Sequence, residues 1–386
     1  MPSLKQGGND GGAGKKEWAD DGDHAEAVRV VVITMGGERE AAMRRQLEEV
    51  GGFDAHFVEG VPARSLRSRD GMVAALRVAG IFRPIDHAGV RDDDSRDMKS
   101  GNNVSAADGG NSDDVPRGFG EAEIDDDGIP WLSNAAETAS ADEFWHRSRR
   151  LTRERAVLAC VLAHMRALHV AACENRPLIM EDNSRLLKEP GASAYRARRA
   201  LAAAKLDGCA WLMLGYGGSP ELLTDAQTPL TALPWCEGKP LAFGTQCYYL
   251  DPAARLRLVA WLRGGPEYLL PAKGKHTRGH NPRPIDRILP APFVAEGKVA
   301  MAYPPVCYRA PMLRSLIHEH WDARITESHE RQLEMAGDSF EGLWLTDEER
   351  MAVDVRRTNG AWQHVDGVIR ESWERKPRKA KKGAVE

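Results

Sequence analysis

A chain of 386 residues with 42% hydrophobic and 28% charged residues has the make-up of an ordinary soluble protein, large enough for one big domain or two average ones. Its net charge of −4 argues against a nucleic-acid binder. The only basic cluster, Arg375-Lys376-Pro377-Arg378-Lys379-Ala380-Lys381-Lys382, reads as a solvated tail.

In chain order, residues 1–27 are polar and glycine-rich and are expected to be disordered. Val28-Arg29-Val30-Val31-Val32-Ile33 is a buried-strand signal. Glu38 to Val50 follows as a helix with Ala42, Leu47 and Val50 inward, stopped by Gly51-Gly52, and Phe53 to Val58 is a second strand. This β-α-β opening predicts an α/β domain with a mostly parallel sheet. From about 87 to 130 the chain turns rich in Asp, Gly, Asn and Ser, and is read as a disordered acidic insertion without a calcium-loop pattern. Thr152 to Glu174 is a long helix whose stripe carries Val157, Cys160, Val161, His164, Leu168 and Ala171. Pro177-Leu178-Ile179-Met180 is a short strand, Ala192 to Leu206 a helix, and Trp211-Leu212-Met213-Leu214 and Phe243 to Leu250 are strands. Gly215-Tyr216-Gly217-Gly218 is read as a turn. Pro252 opens a helix to Trp261, Val299 to Tyr303 is a late strand, and 345–375 is a polar helical cap or extension, so that 321–386 forms a helical C-terminal piece with a basic tail.

Six scattered cysteines without a CxxC pair imply free thiols in a reducing compartment. The polar N-terminus does not read as a secretory signal and no apolar run is long enough to span a bilayer, so a cytoplasmic location without a transmembrane segment is expected. Asn103-Val104-Ser105 is then incidental as a glycosylation pattern, and His318-Glu319-His320 is surface, since alternate residues do not share a helix face.

The chemistry concentrates at Glu181-Asp182-Asn183. Ligands of open α/β sheets bind beyond the C-terminal strand ends, and these polar groups follow an apolar strand there. Oxygen ligands on a short loop suit Mg²⁺ or Mn²⁺, which can neutralise a diphosphate. Acidic residues after a strand also serve as the N-cap of a following helix, and spacing alone supports both readings.

Residues 28–320 resemble glycosyltransferase family 25, the lipooligosaccharide and collagen galactosyltransferase type. Val32-Ile33-Thr34-Met35 with Arg39 is similar to the family's opening strand and turn, and Phe57-Val58-Glu59-Gly60 to its entry into the second loop. Ala159-Cys160-Val161-Leu162-Ala163-His164 resembles its xCxxSH helix, with Ala163 for the serine and Val157 for an acidic residue three positions before the cysteine. Leu178-Ile179-Met180-Glu181-Asp182-Asn183 resembles its Glu-Asp-Asp strand tip. Gly244-Thr245-Gln246-Cys247-Tyr248, Pro284-Ile285-Asp286 and Pro304-Pro305-Val306-Cys307-Tyr308-Arg309 resemble its later landmarks, with Arg309 for a glutamine.

The resemblance implies a glycosyltransferase A-type fold, a single α/β/α domain, and transfer of a hexose, typically galactose, from a UDP-sugar with inversion. It implies a Mn²⁺ or Mg²⁺ cofactor and a glycan or glycoprotein acceptor, as in lipopolysaccharide biosynthesis or protein glycosylation. Glu181, Asp182 and Asn183 would hold the metal, and Glu181 and Asp182 the donor as well. Asn183 brings no charge and should weaken the metal. Asp286 would be the base or an acceptor contact, with an exposed loop carboxylate as the rival reading. Thr34 and Arg39 would face the donor, although Arg39 also reads as a surface residue. Thr245 and Tyr248 would shape the pocket, and Tyr248 also reads as core. His164 is expected to brace the acidic tip from the core, and Arg309 to bring positive charge to the pocket. Val157, Ala163 and Asn183 open the alternative of a degenerate transferase domain that binds a nucleotide sugar or a protein partner without turnover.

Overall fold

The computed structural model describes residues 26–81, 122–124, 130–132, 145–146, 155–218, 231–234, 242–263, 284–312 and 322–360. The N-terminal segment, most of the acidic insertion, Asn103, His318-Glu319-His320 and the basic tail therefore lie outside the described residues. At the end of the insertion, β3 (Ala122–Ile124) pairs antiparallel with β4 (Pro130–Leu132), so its last residues hold regular structure.

The chain opens with β1 (Val28–Thr34), α1 (Gly37–Val50), β2 (Phe53–Glu59) and α2 (Arg69–Val78). It continues through α3 (Arg155–Cys173), β5 (Leu178–Glu181), β6 (Ser184–Arg185), α4 (Ala192–Leu206), β7 (Trp211–Gly218), β8 (Thr231–Pro234), β9 (Ala242–Leu250) and α5 (Pro252–Arg263). Then follow α6 (Ile285–Ile288), β10 (Val299–Tyr303), β11 (Tyr308–Arg309), α7 (Asp322–Met335) and α8 (Asp347–Asn359).

Seven strands form one sheet in the order β2-β1-β5-β9-β7-β10-β8. β1 runs parallel to β2 and β5, and β10 parallel to β7, whereas β9 is antiparallel to both β5 and β7, and β8 to β10. The expectation of a mostly parallel α/β sheet holds, with an antiparallel strand at its centre. Helices cover both faces. Val31, Ile33, Ile179, Met213 and Met301 face a core with α2 and α3, while Val30, Val32, Met180, Leu212 and Ala302 face one with α1 and α4. A strand covered on both sides has no polar face, which is why Val30 to Ile33 of β1 are apolar at every position. Helix α3 is apolar and long enough to cross a membrane, the one such helix among the described residues. It is also packed into the first of these cores, with Leu158, Leu162, Met165 and Ala167 buried besides the predicted stripe, while Val157 and Cys160 are only half-buried.

One reading of local structure is corrected. Gly215 to Gly218 continue β7 and do not turn. Gly215 is needed because a Cβ there would lie 2.3 Å from Cys307 Sγ and 3.1 Å from the Cys247 nitrogen, so the glycine admits a neighbouring chain and not a bend. The C-terminal helices pack against the domain through buried pairs. Arg185 forks onto Glu349 at 2.7 and 2.6 Å, Arg196 onto Asp338 at 2.6 and 2.9 Å, and Trp344 Nε1 donates to Glu49 at 2.6 Å. Both ion pairs are almost wholly buried.

Candidate functional site

The parallel strands β1, β5, β7 and β10 end at one edge of the sheet, and antiparallel β9 begins there. Thr34 closes β1, Glu181 closes β5, and Gly244 and Thr245 sit near the start of β9. After Asn183 the chain enters β6, which pairs with β11, and the next helix begins only at Ala192 with Gly191 as its cap. The acidic tip therefore caps no helix, and that reading is overturned.

Glu181 is enclosed by donors. Its Oε1 accepts from Thr245 Oγ1 at 2.5 Å and from His164 Nε2 at 3.2 Å, and its Oε2 accepts from Asn183 Nδ2 at 2.9 Å. Because a carboxylate only accepts, His164 Nε2 must carry a hydrogen. His164 Nδ1 lies 3.1 Å from the hydroxyl of Tyr248, which is fully enclosed behind His164. Burial raises the Glu181 pKa, but His164, by its hydrogen bond and its charge, then Thr245 and Asn183, outweigh it and bring the carboxyl down to about 2.

A folded pKa below the ordinary 4.5 means that this carboxylate stabilises the fold at neutral pH and loses that contribution as pH falls from about 4.5 towards 2. The shift corresponds to about 3 kcal/mol. Wild type should therefore exceed Glu181→Gln in unfolding free energy at pH 7 and lose roughly 2 kcal/mol of that lead between pH 5 and pH 3. Urea titrations at the two pH values measure it, and a lead that does not change would refute the network's role.

Asp182 points the other way. Its Oδ2 accepts from the Met35 nitrogen at 3.3 Å, and its own nitrogen donates to Ile33 O at 3.0 Å. Burial raises its pKa, against the opposing effects of the Arg39 charge, the Met35 N–H and the Thr34 hydroxyl. Thr34 also accepts from the Gly36 nitrogen at 2.9 Å and so shapes the turn after β1. Arg39 is half-buried in the first turn of α1.

Asp286, in the first turn of α6, joins the same edge: its Oδ2 accepts from the Gly244 nitrogen at 3.2 Å. Gly244 has φ of 92°, and a Cβ there would strike the Gln246 side-chain amide at 2.5 Å, so glycine lets Gln246 fold over it. Ser184 Oγ in turn donates to Gln246 O at 2.7 Å. Cys160 on α3 lies within reach of the same charges, since burial, then Glu181, then Asp286 push its thiol pKa upward. Arg309 is buried on β11, opposite Ser184 of β6, and its charge acts on His329 of α7.

Three oxygens of this cluster are buried without any hydrogen donor: Asn183 Oδ1, Gln246 Oε1 and Asp286 Oδ1. Neither Gln246 nor Ser184 is among the candidate residues that the sequence offers. Gln246 lies inside the Gly244 to Tyr248 landmark, but only the folded conformation of Gly244 turns it inward. Among the described residues, no group of three His, Cys, Asp or Glu side chains is placed to hold a metal ion. Comparison with family models and with curated proteins found no match for the chain.

Proposed function

We propose that this protein is a glycosyltransferase that moves a hexose, galactose by the family resemblance, from a UDP-sugar to a hydroxyl of a glycan acceptor with inversion. The observation that carries the proposal is the trio of donorless oxygens on Asn183, Gln246 and Asp286 at the C-terminal edge of the sheet. Buried acceptors left unpaired cost about 1–3 kcal/mol each, and a ligand rich in hydroxyl groups removes that cost. An α/β sheet also receives ligands at this edge, and the glycosyltransferase A-type fold is proposed with the activity.

In this reading the acceptor oxygen attacks the anomeric carbon and its proton passes to Asp286 Oδ1. The bond from that carbon to the diphosphate breaks on the opposite face, and its electron pair leaves with UDP. Thr34 and the turn to Arg39 face the diphosphate, with Arg39 supplying positive charge. Thr245 and His164 hold Glu181 in place, and Tyr248 steadies His164. A divalent cation, Mn²⁺ or Mg²⁺, would be held by Asp182 and by Asn183, whose open Oδ1 is a hard oxygen donor, and would stabilise the departing diphosphate. Glu181 is less suited to that task, because its two oxygens already take three hydrogen bonds.

One observation favours the second reading, a domain that binds a nucleotide sugar without turnover. The Asn183 amide donates to Glu181 at the point where a carboxylate would repel it and call for a cation. The test separates the two. Purified protein with UDP-galactose or UDP-glucose and Mn²⁺ should release UDP, and UDP should raise the melting temperature. Binding without release selects the second reading, and neither response removes both.

A further inference from the structure

A cavity of about 360 Å³ lies away from the acidic tip, where the last helix meets the domain. That volume is within the range of small-molecule sites. Its floor is apolar: Phe340, Leu343, Trp344 and Val353 line it, and all four are buried. Its rim runs from Glu49 on α1 to Lys188, beyond β6, and on to Arg350 and Arg357 of α8. Backbone bonds tie the walls together. The Lys188 nitrogen donates to Gly342 O at 2.9 Å, and the Trp344 nitrogen donates to Leu186 O at 2.9 Å. The hollow is therefore framed by paired chain and not by side chains alone.

The carboxylates of the rim are already engaged. Glu49 Oε2 accepts from the Trp344 indole at 2.6 Å, Glu341 is clasped by Arg357, and Asp354 lies 4.0 Å from the same guanidinium. Two cations are not matched in this way. Lys188 is exposed, and its ammonium has no partner among the described residues. Arg350 donates to Leu345 O at 2.7 Å and lies 3.5 Å from Asp347, whose side chain is 91% exposed. An ion pair in such a setting neutralises little. Trp344 has spent its N–H on Glu49, so it offers the hollow a ring and no donor. A complementary ligand has a flat apolar body for Trp344 and Phe340, and an anionic end for Lys188 and Arg350. We propose that this cavity binds an aromatic carboxylic acid. The site does not depend on the transferase reading.

The experiment titrates the full chain by calorimetry with indole-3-acetate, and with indole-3-acetamide and tryptamine as neutral and cationic matches of the same ring. Wild type should bind the acid at least about tenfold more tightly than either control, the effect expected of a hydrogen bond to a charged group. Lys188→Gln keeps the backbone bond to Gly342 and should fold as wild type does, yet lose about tenfold in affinity for the acid. Val353→Phe fills the hollow and should abolish binding. No binding by wild type, equal affinity for the three probes, or unchanged affinity in Lys188→Gln overturns the site. Sedimentation of wild type at twice the chain mass, reversed in Val353→Phe, also overturns it and gives this face to a second copy of the chain.

Discussion

Replacing Asp338 by alanine should destabilise the fold by about 3–5 kcal/mol, the usual cost of stripping one partner from a buried ion pair. Arg196 and Asp338 are 3% and 2% exposed at their side chains and meet through two hydrogen bonds, at 2.6 and 2.9 Å. The same carboxylate accepts from the Tyr308 hydroxyl at 2.9 Å. Its loss leaves the Arg196 charge on α4 without its carboxylate, with Pro305 O still accepting from Nη1 at 3.1 Å, and takes the acceptor of the Tyr308 phenol on β11. The pair also ties α4, which covers one face of the sheet, to the turn that follows α7. If residues 322–360 were a loosely attached extension, the variant would melt them alone and leave the sheet intact. The structure instead predicts one cooperative transition displaced as a whole. Urea denaturation followed by tryptophan fluorescence and by far-ultraviolet circular dichroism measures this, since Trp211 lies in the sheet and Trp344 in the C-terminal piece. The double variant Arg196→Leu with Asp338→Leu should be less destabilised than Asp338→Ala, because no buried charge is left over. A loss below about 1 kcal/mol, or two separated transitions, would restore the picture of an extension.

The sequence was legible wherever a strand or helix is decided by burial along its own length. The central stretches of β1, β5 and β10 are apolar because helices lie on both sheet faces, and α4 runs from Ala192 to Leu206 as expected. What failed was set by distant chain segments. Gly215 looks like a turn residue because glycine usually serves there, and only the approach of Cys307 explains it inside a strand. The direction of β9 is invisible in a run whose local pattern is the same either way. The polar look of the C-terminal piece hid Arg185–Glu349 and Arg196–Asp338, because a charged residue reads as solvated until its partner is known. The site divides in the same manner. Glu181, Asn183, His164 and Thr245 do come together, Asp182 turns to Met35, and Asp286 meets the start of β9 at Gly244. Gln246 stands out only in the fold, where its Oε1 is buried without a hydrogen-bond partner.

Converting Asp286 to alanine should lower the rate of sugar transfer by about 10²–10⁴-fold, the span expected when a positioned base is removed. UDP binding should change by no more than about twofold, since the proposed diphosphate contacts lie at Thr34 and Arg39, with the cation at Asp182 and Asn183, and not on α6. The assignment follows from how the carboxylate is held. One oxygen, Oδ2, is fixed by the Gly244 N–H, which leaves Oδ1 without a donor and aligned by its partner. Glu181, the neighbouring carboxylate, cannot play this part as readily: three hydrogen bonds occupy its oxygens, and a pKa near 2 makes it a feeble base. Asp286→Asn sharpens the test. An amide oxygen can still accept from Gly244, so the local structure is kept while proton acceptance is lost. If Asp286 only positions Gly244 and the start of β9, Asn should restore most of the transfer that Ala removes. If it takes the proton, Asn and Ala should be equally impaired at saturating donor, with the loss in kcat and not in KM for the donor. Initial rates of UDP release with both variants, beside calorimetric UDP binding, decide between the two, and full activity in Asp286→Asn would move the base elsewhere in the site.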